Sequence, residues 1–378
     1  MKWQTNLTKS TDLNVAVKEL TIGIENAPDV IFLFSSLKNN EQLLQQLKNK
    51  YPSTQLIGSS TSGVIGHLEE EKEPGASLIA AFLPDVRVEL FSVPGETTKK
   101  ATDINWETVT KIPPELEPCF VLFLDPFTCN TKNILRSFDE SYSKSSKIGG
   151  LASGSPYNSK TTLFINNKLQ HGGLIGMGMY GDIQLKPIIA QGCRPIGTPM
   201  QITKSDKNII LELDNQPVLQ MLQNLIKGLS GNELNRFRHN PMIGIDIGTT
   251  QHDKSKQYLI RDVLGISNSI SALAIGEVVK AEQWIQFHIR DAQSAHKELK
   301  ELLEKHNRPC GSLLFSCLGR GERFYQEKSH DTGLFLEKFP KTPIGGFFCN
   351  GELGPIKQKT FLHSYTSVFG LFYKKVWS

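Results

Sequence analysis

Val30-Ile31-Phe32-Leu33-Phe34 is an uninterrupted apolar run of β-branched and aromatic residues, and a polar turn separates it from Glu41-Gln42-Leu43-Leu44-Gln45-Gln46-Leu47. The first segment has the length and content of a strand covered on both faces. The second carries leucines at i, i+1 and i+4, one face of a helix. Ile57-Gly58 then opens a further strand. Three later runs repeat the opening: Phe120–Leu124, Asn208–Leu213 and Ser312–Cys317. Helical faces succeed them at Ile134-Leu135 with Phe138, at Val218-Leu219 with Leu222, Leu225 and Ile226, and at Thr332 with Leu336 and Phe339. The Ile-Gly steps recur at Ile148-Gly149, Ile243-Gly244 and Ile344-Gly345, so the four glycines lie 91, 95 and 101 residues apart. More strands come at Ser77–Phe82, Thr162–Ile165, Gln257–Val263 and Phe361–Val368.

This order predicts an α/β (mixed α+β) chain of duplicated strand-helix-strand-strand units, forming mixed sheets flanked by helices. A strand–helix–strand step favours parallel pairing, and the later strands add antiparallel neighbours. The period exceeds that of solenoid repeats. The units are read as two halves with a seam near residues 200–215: a lead-in over 1–27, an N-terminal domain over 28–210 and a C-terminal domain over 211–378. Loops leaving the carboxyl ends of parallel strands are where ligands bind in such folds.

Composition bounds the function. The 378 residues hold 42 basic and 38 acidic side chains, a net +4, too little for a protein that lives on phosphate backbones. The Lys99-Lys100 and Lys374-Lys375 pairs have no interleaved aromatics, so nucleic acid is not an expected partner. No apolar run reaches the ~18 residues of a membrane span, and Met1–Asn6 has no signal-like apolar core. A cytoplasmic location is the expectation. Six cysteines without a CxxC pair read as reduced thiols. Cys310, Cys317, Cys349 and His363 lack the paired spacing of a zinc site, so neither a metal nor a cofactor is expected.

Two motifs are set aside. Ile245-Asp246-Ile247-Gly248-Thr249-Thr250 resembles the phosphate turn of actin-like ATPases, but too little chain remains after it for their second domain. Gly176-Met177-Gly178-Met179-Tyr180-Gly181 fits GxGxxG, yet Asp182–Pro187 alternates polar and apolar like a strand and stops at proline. Glu69-Glu70-Glu71-Lys72-Glu73 reads as a solvated loop.

The dense region lies between residues 310 and 367. Gly319 and Gly321 free backbone N–H groups after a strand, and Arg320 between them presents a fork suited to a carboxylate. Glu352, beside Asn350 and Gly351, is placed to accept from an ammonium group or to pair with Arg320 or Arg323. His363 lies just beyond. The earlier loops Gly58–Gly63 (with Ser60 and Thr61) and Gly149-Gly150 match in style, and all are read as edges of one cleft. A rival reading makes Cys317 a nucleophile activated by Arg320 and Arg323 with His363 as base. The preferred reading is not an enzyme.

These residues resemble the FIST domain proteins. The N-terminal pattern is Gly58–Gly63, Gly149-Gly150 with Gly154, Gly173 with Gly176, and Gly192-Cys193-Arg194-Pro195-Ile196-Gly197. The C-terminal pattern is Leu259-Ile260-Arg261-Asp262, Gly276-Glu277-Val278, Phe287 with Arg290-Asp291, Cys317 with Gly319-Arg320-Gly321, Gly345–Phe348, Gly351-Glu352 with Gly354-Pro355, and His363 with Thr366. The match spans about residues 28–370. The resemblance implies a sensory module for small ligands such as amino acids, which relatives carry beside signalling domains or an F-box. With no such segment here, the expectation is a sensor acting through a signalling partner, or else a protein-interaction adaptor. Ser59-Ser60 stands where the family pattern suggests a cysteine, so no reactive role is carried there.

Overall fold

A computed structural model describes residues 1–67, 69–72, 74–100, 104–155, 157, 160–248 and 258–375. The chain divides into two compact units, residues 1–190 with 299–378, and residues 191–298.

The larger unit repeats one order of elements three times. The first copy holds β1 (Lys2–Thr8), α1 (Leu13–Leu20), β2 (Val30–Ser35), α2 (Asn40–Lys50), β3 (Gln55–Ser60), a hairpin of β4 (Val64–Gly66) and β5 (Glu69–Glu71), and β6 (Ala76–Phe82). The second holds β7 (Val86–Val93), α3 (Gly95–Lys100), α4 (Trp106–Thr110), β8 (Cys119–Leu124), α5 (Thr131–Ser141), β9 (Lys147–Leu151), a hairpin of β10 (Leu163–Ile165) and β11 (Lys168–Gln170), and β12 (Leu174–Gly181). The third begins with β13 (Gln184–Ala190), and the smaller unit interrupts it there.

That smaller unit contains β14 (Cys193–Asp206), β15 (Ile209–Leu213), β16 (Gln216–Pro217), α6 (Val218–Lys227), α7 (Gly231–His239), β17 (Met242–Asp246), β18 (Tyr258–Ser267), β19 (Ala272–Ile275) and β20 (Trp284–Arg290). Its strands pair antiparallel in the order β14-β20-β17-β18-β19-β15, and β15 returns to β14, so the sheet closes on itself. The boundary between units falls within α8 (Ala292–Glu304). The third copy then resumes with β21 (Gly311–Cys317), α9 (Glu322–Tyr325), α10 (His330–Lys338), β22 (Ile344–Cys349), a hairpin of β23 (Glu352–Ile356) and β24 (Lys359–His363), and β25 (Ser367–Tyr373).

Each copy builds a six-stranded sheet around two parallel strands joined through a helix: β2 with β3, β8 with β9, β21 with β22. The copy's last strand lies antiparallel beside the first of these, and its opening strand lies outside that, giving β1-β6-β2, β7-β12-β8 and β13-β25-β21. The hairpin leaves for another sheet. β10–β11 completes the first sheet beside β3, β23–β24 the second beside β9, and β4–β5 the third beside β22. Exchange of hairpins around three copies makes each sheet depend on another copy for its outer strands.

Pairing registers align the copies residue by residue. Leu33 faces Gly58, Leu122 faces Gly149 and Leu314 faces Gly346. One step on, Phe34, Phe123 and Phe315 meet with ring centres 5.4, 6.3 and 5.8 Å apart. All three rings are fully buried. Phe347 stacks on Phe34 at 4.7 Å, and the equivalent positions in the other copies are Ser59 and Gly150, which leave room for it. A Cβ on Gly150 would come within 3.2 Å of the Phe347 ring.

The sequence rhythm therefore marks real parallel pairs at Val30–Phe34, Phe120–Leu124 and Ser312–Cys317. The Asn208–Leu213 landmark is different. It is a strand of the closed antiparallel sheet, and Ile243-Gly244 lies in β17, which it does not pair with. The seam region near 200–215 falls within β14 and β15 and the turn after them. Gly176–Gly181 lies in β12 and opens no helix. Thr249 and Thr250 of the ATPase-like turn lie outside the described residues. No helix among the described residues is long and apolar enough to cross a membrane.

Candidate functional site

The three glycine-framed edges come together within the larger unit, but they close on one another rather than around a hollow. Thr61 Oγ1 and Ser153 Oγ lie 3.3 Å apart, and Ser153 donates to the Phe348 carbonyl at 2.6 Å. The Phe348 amide donates to Gly63 O, and the Leu151 amide to Gly351 O. Asn350 Nδ2 donates to Ala152 O at 3.2 Å. Thr61, Gly63, Gly149, Gly150 and Gly351 are all buried in this seam.

Arg320 is completely buried, and its fork is already satisfied. Nε and Nη2 donate to the two oxygens of Asp331, each at 3.2 Å. Nη1 donates to Ala190 O and Tyr365 O, and Nη2 also to the Tyr325 hydroxyl. The ion pair with Glu352, the alternative to ligand binding in the sequence, is replaced by this pair with Asp331. Direct capture of a ligand anion by Arg320 gives way to an internal brace, because five N–H donors have five protein partners. Gly321 enables the turn at φ +77°. Gly319 and Arg323 are exposed on it, the Gly319 amide 3.5 Å from Cys317 Sγ.

Asp331 belongs to a second equivalence. Tyr51, Tyr142 and Phe339 end α2, α5 and α10 with matching dihedrals. Their amides bond to Leu47 O, Phe138 O and Phe335 O. Counting back from those caps, Asp331 stands where the other copies place the core residues Leu43 and Ile134. Burial opposes its charge, yet the Arg320 guanidinium and hydrogen bonds from His330, Arg320 and Ser367 hold the carboxyl below the usual range.

Two more carboxyls enter this polar core. Glu352 is fully buried. Its Oε2 accepts from the Thr366 amide at 3.1 Å, Oε1 has no hydrogen-bond partner, and the Cys317 thiol lies alongside. Burial pushes this acid well above its ordinary range, only partly offset by Thr366 and Arg320. Cys317 faces Cys349 across the parallel pair. Burial, then Glu352 and Cys317, raise the Cys349 thiol. His363, opposite Glu352 in the hairpin, is buried and donates from Nε2 to Gly354 O at 3.0 Å. Of the two cations expected to activate a Cys317 nucleophile, Arg320 is paired with Asp331 and Arg323 is exposed.

Glu70 arrives on the exchanged hairpin β4–β5. The run expected to be a solvated loop is a paired strand at Glu69–Glu71, while Glu73 lies outside the described residues. Its Oε1 accepts from the amide and hydroxyl of Thr332 at 2.8 and 3.1 Å, and Oε2 is enclosed without a partner. Burial and then the Asp331 charge push Glu70 up to about 7 from 4.5. The folded state holds this proton to higher pH than the unfolded chain does. Its stabilising contribution is complete below the ordinary carboxylate range and is lost as pH rises through about 7. Urea unfolding measured against pH should show stability falling across that interval, with a shallower fall in Glu70→Gln. Equal slopes in the two proteins would show that Glu70 does not hold the proton.

An open cleft of about 420 Å³ lies elsewhere, at the carboxyl ends of β2 and β3. Ser60 and Thr162 are among its walls: the Ser60 amide donates to Thr162 O at 2.8 Å, and the Thr162 amide donates to Ser60 Oγ at 2.9 Å. Lys38 and Glu41 at the start of α2, with Lys160 and His171 from the segments flanking the exchanged hairpin β10–β11, also line it and are exposed. Of the residues singled out in the sequence, Ser60 lines this cleft. The Lys38–Glu41 turn was detectable, because it leaves a parallel strand and opens a helix. Lys160, Thr162 and His171 come from another copy of the repeat, which no local pattern indicates. Among the described residues no group of His, Cys, Asp or Glu is arranged to hold a metal.

Comparison with known proteins gives the FIST N domain over residues 29–216 and the FIST C domain over 219–355. An uncharacterized protein of Mycobacterium bovis is 29% identical over 356 residues, covering 92% of this chain and 91% of its own. A second uncharacterized protein, from Mycobacterium tuberculosis, is 29% identical over 355 residues, covering 91% of each. F-box only protein 22 of Homo sapiens is 30% identical over 99 residues, 22% of this chain and 24% of its own.

Proposed function

The chain belongs to the FIST family, and from that premise we propose that it is a sensory module binding a small charged metabolite in the cleft beside Ser60. FIST domains are generally regarded as sensory, ligand-binding modules of signalling proteins. One observation carries the reading: a cleft of about 420 Å³ holds Lys38 and Lys160 together with Glu41, over a floor that includes Ser60 and Thr162. That volume is in the range of small-molecule sites. Cations and a carboxylate in one small space suit an amino-acid-like zwitterion, its carboxylate toward the lysines and its ammonium toward Glu41. The location agrees with the rule that ligands settle where parallel strands end and helices begin.

The output of such a module is contact with a signalling protein inside the cell, and the F-box relatives support that direction. A thermal-shift screen of amino acids and small carboxylates tests the reading. A ligand at a hundred times its Kd should add about 2.7 kcal/mol, and the pair Lys38→Ala with Lys160→Ala should remove the shift. A complete panel without any stabilising compound would count decisively against it.

A further inference from the structure

Lys72 leaves the exchanged hairpin β4–β5 and delivers its ammonium group to the turn after β21. Nζ donates to Leu318 O and to Arg320 O, each at 2.7 Å, and lies 4.6 Å from the centre of the Phe348 ring. The protein shapes this spot by several local constraints. The Arg320 amide bonds to Cys317 O, which tightens the turn and leaves the carbonyls on either side of Gly319 aimed at one nitrogen. The positive φ of Gly321 carries the chain close to Phe348, where a Cβ would lie 3.1 Å from the ring. Beneath them, the buried Arg320–Asp331 pair fixes the turn.

Two carbonyls and an aromatic face converging on one point recognise an R–NH3+ group: the N–H donors take the carbonyls, and the ring takes charge through its negative face. We propose that the Leu318–Arg320 turn and the Phe348 ring form a receptor for a primary ammonium group. Lys72 fills it in the resting protein, and an amine-bearing ligand enters when β4–β5 lifts. This site is separate from the cleft beside Ser60 and does not rest on that reading. The hairpin is also held by short pairings of Val64 and Ile65 with β22, by the Ser77 hydroxyl on Ile65 O, and by Glu70 on Thr332 and Ser329, so release of Lys72 frees one of several attachments. Occupancy would thereby be converted into movement of a strand that belongs to one copy and completes the sheet of another.

Chemical rescue tests the proposal. Lys72→Ala should lower Tm, and n-propylammonium should restore it. Tetramethylammonium, which has no N–H donors, and propionate should not. Because the tethered lysine competes at high effective concentration, apparent affinity for n-propylammonium should be at least roughly tenfold tighter in the variant than in the wild type. Lys72→Met, which keeps an apolar stem on Phe348, serves if alanine prevents folding. Rescue absent from the folded variants, or equal with tetramethylammonium, overturns the proposal. Should neither variant fold, hydrogen exchange of the wild type decides: n-propylammonium must speed exchange at the Glu70 amide, which bonds to Ser329 Oγ at 3.3 Å, and unchanged exchange rejects it.

Discussion

Asp331→Ala should cost about 3–5 kcal/mol in urea unfolding, the loss typical of breaking a buried ion pair from one side. Both residues are 0% exposed, so alanine would remove the carboxylate that Arg320 Nε and Nη2 bond to, at a place water does not reach. Ser367 Oγ, which donates to Asp331 Oδ2 at 2.5 Å, would lose its acceptor as well. The double variant Arg320→Met with Asp331→Leu should recover most of the loss. Buried pairs are often replaced by apolar residues at little cost, and Leu43 and Ile134 already fill this position in the other two copies. A strong positive coupling in the double-mutant cycle is the expected result. If the double variant is as unstable as the two single variants added together, the pair is not an exchangeable insert in an otherwise apolar position. Recovery would mean that the third copy carries a charged brace that its stability does not require, and the brace lies directly beneath the carbonyls that receive Lys72.

How far the sequence reveals this depends on which contacts are local. Each parallel pair is local, since its strands and the helical segment between them occupy about thirty to forty consecutive residues, and the runs at Val30, Phe120 and Ser312 mark them by hydrophobicity alone. The hairpin exchange is not local. Nothing in Glu69–Glu71 shows that its partner surface is α10, so its charges resemble a wet loop until Glu70 is found on Thr332. Spacing also misled. A quarter-chain interval predicts a fourth unit at Asn208, whereas the described residues hold three copies and a separate closed sheet inserted after β13. The site was partly legible for the same reason. Clustered glycines located the edges that meet, but whether they meet around space or in contact depends on Phe347 and Cys349 filling the gap opposite Gly150. Arg320 was identifiable as important. Its partner was not, because Asp331 reads as an ordinary helix residue and is unusual only by comparison with Leu43 and Ile134.

Gly346→Ala, Gly58→Ala and Gly149→Ala should each be among the most damaging single added methyl groups in the described residues. A Cβ at Gly346 would stand 1.8 Å from Leu314 O, at Gly58 1.7 Å from Leu33 O, and at Gly149 1.9 Å from Leu122 O. The obstructing atoms are backbone carbonyls of the neighbouring parallel strand, so no rotamer change relieves them. The strand must shift, and the Phe34, Phe123 and Phe315 contact one residue on must shift with it. The cost should exceed the ~1–3 kcal/mol of ordinary overpacking, read as loss of soluble protein or as a large fall in Tm. Gly333 supplies the control. It lies within α10 with nothing inside 4 Å of its added Cβ, so Gly333→Ala should gain about 0.5–1 kcal/mol from helix propensity. A loss below about 1 kcal/mol at any of the three strand glycines, against the overpacking scale, would refute their equivalence. The threefold order would then be a likeness of topology, without the shared close approach of backbones that these glycines permit.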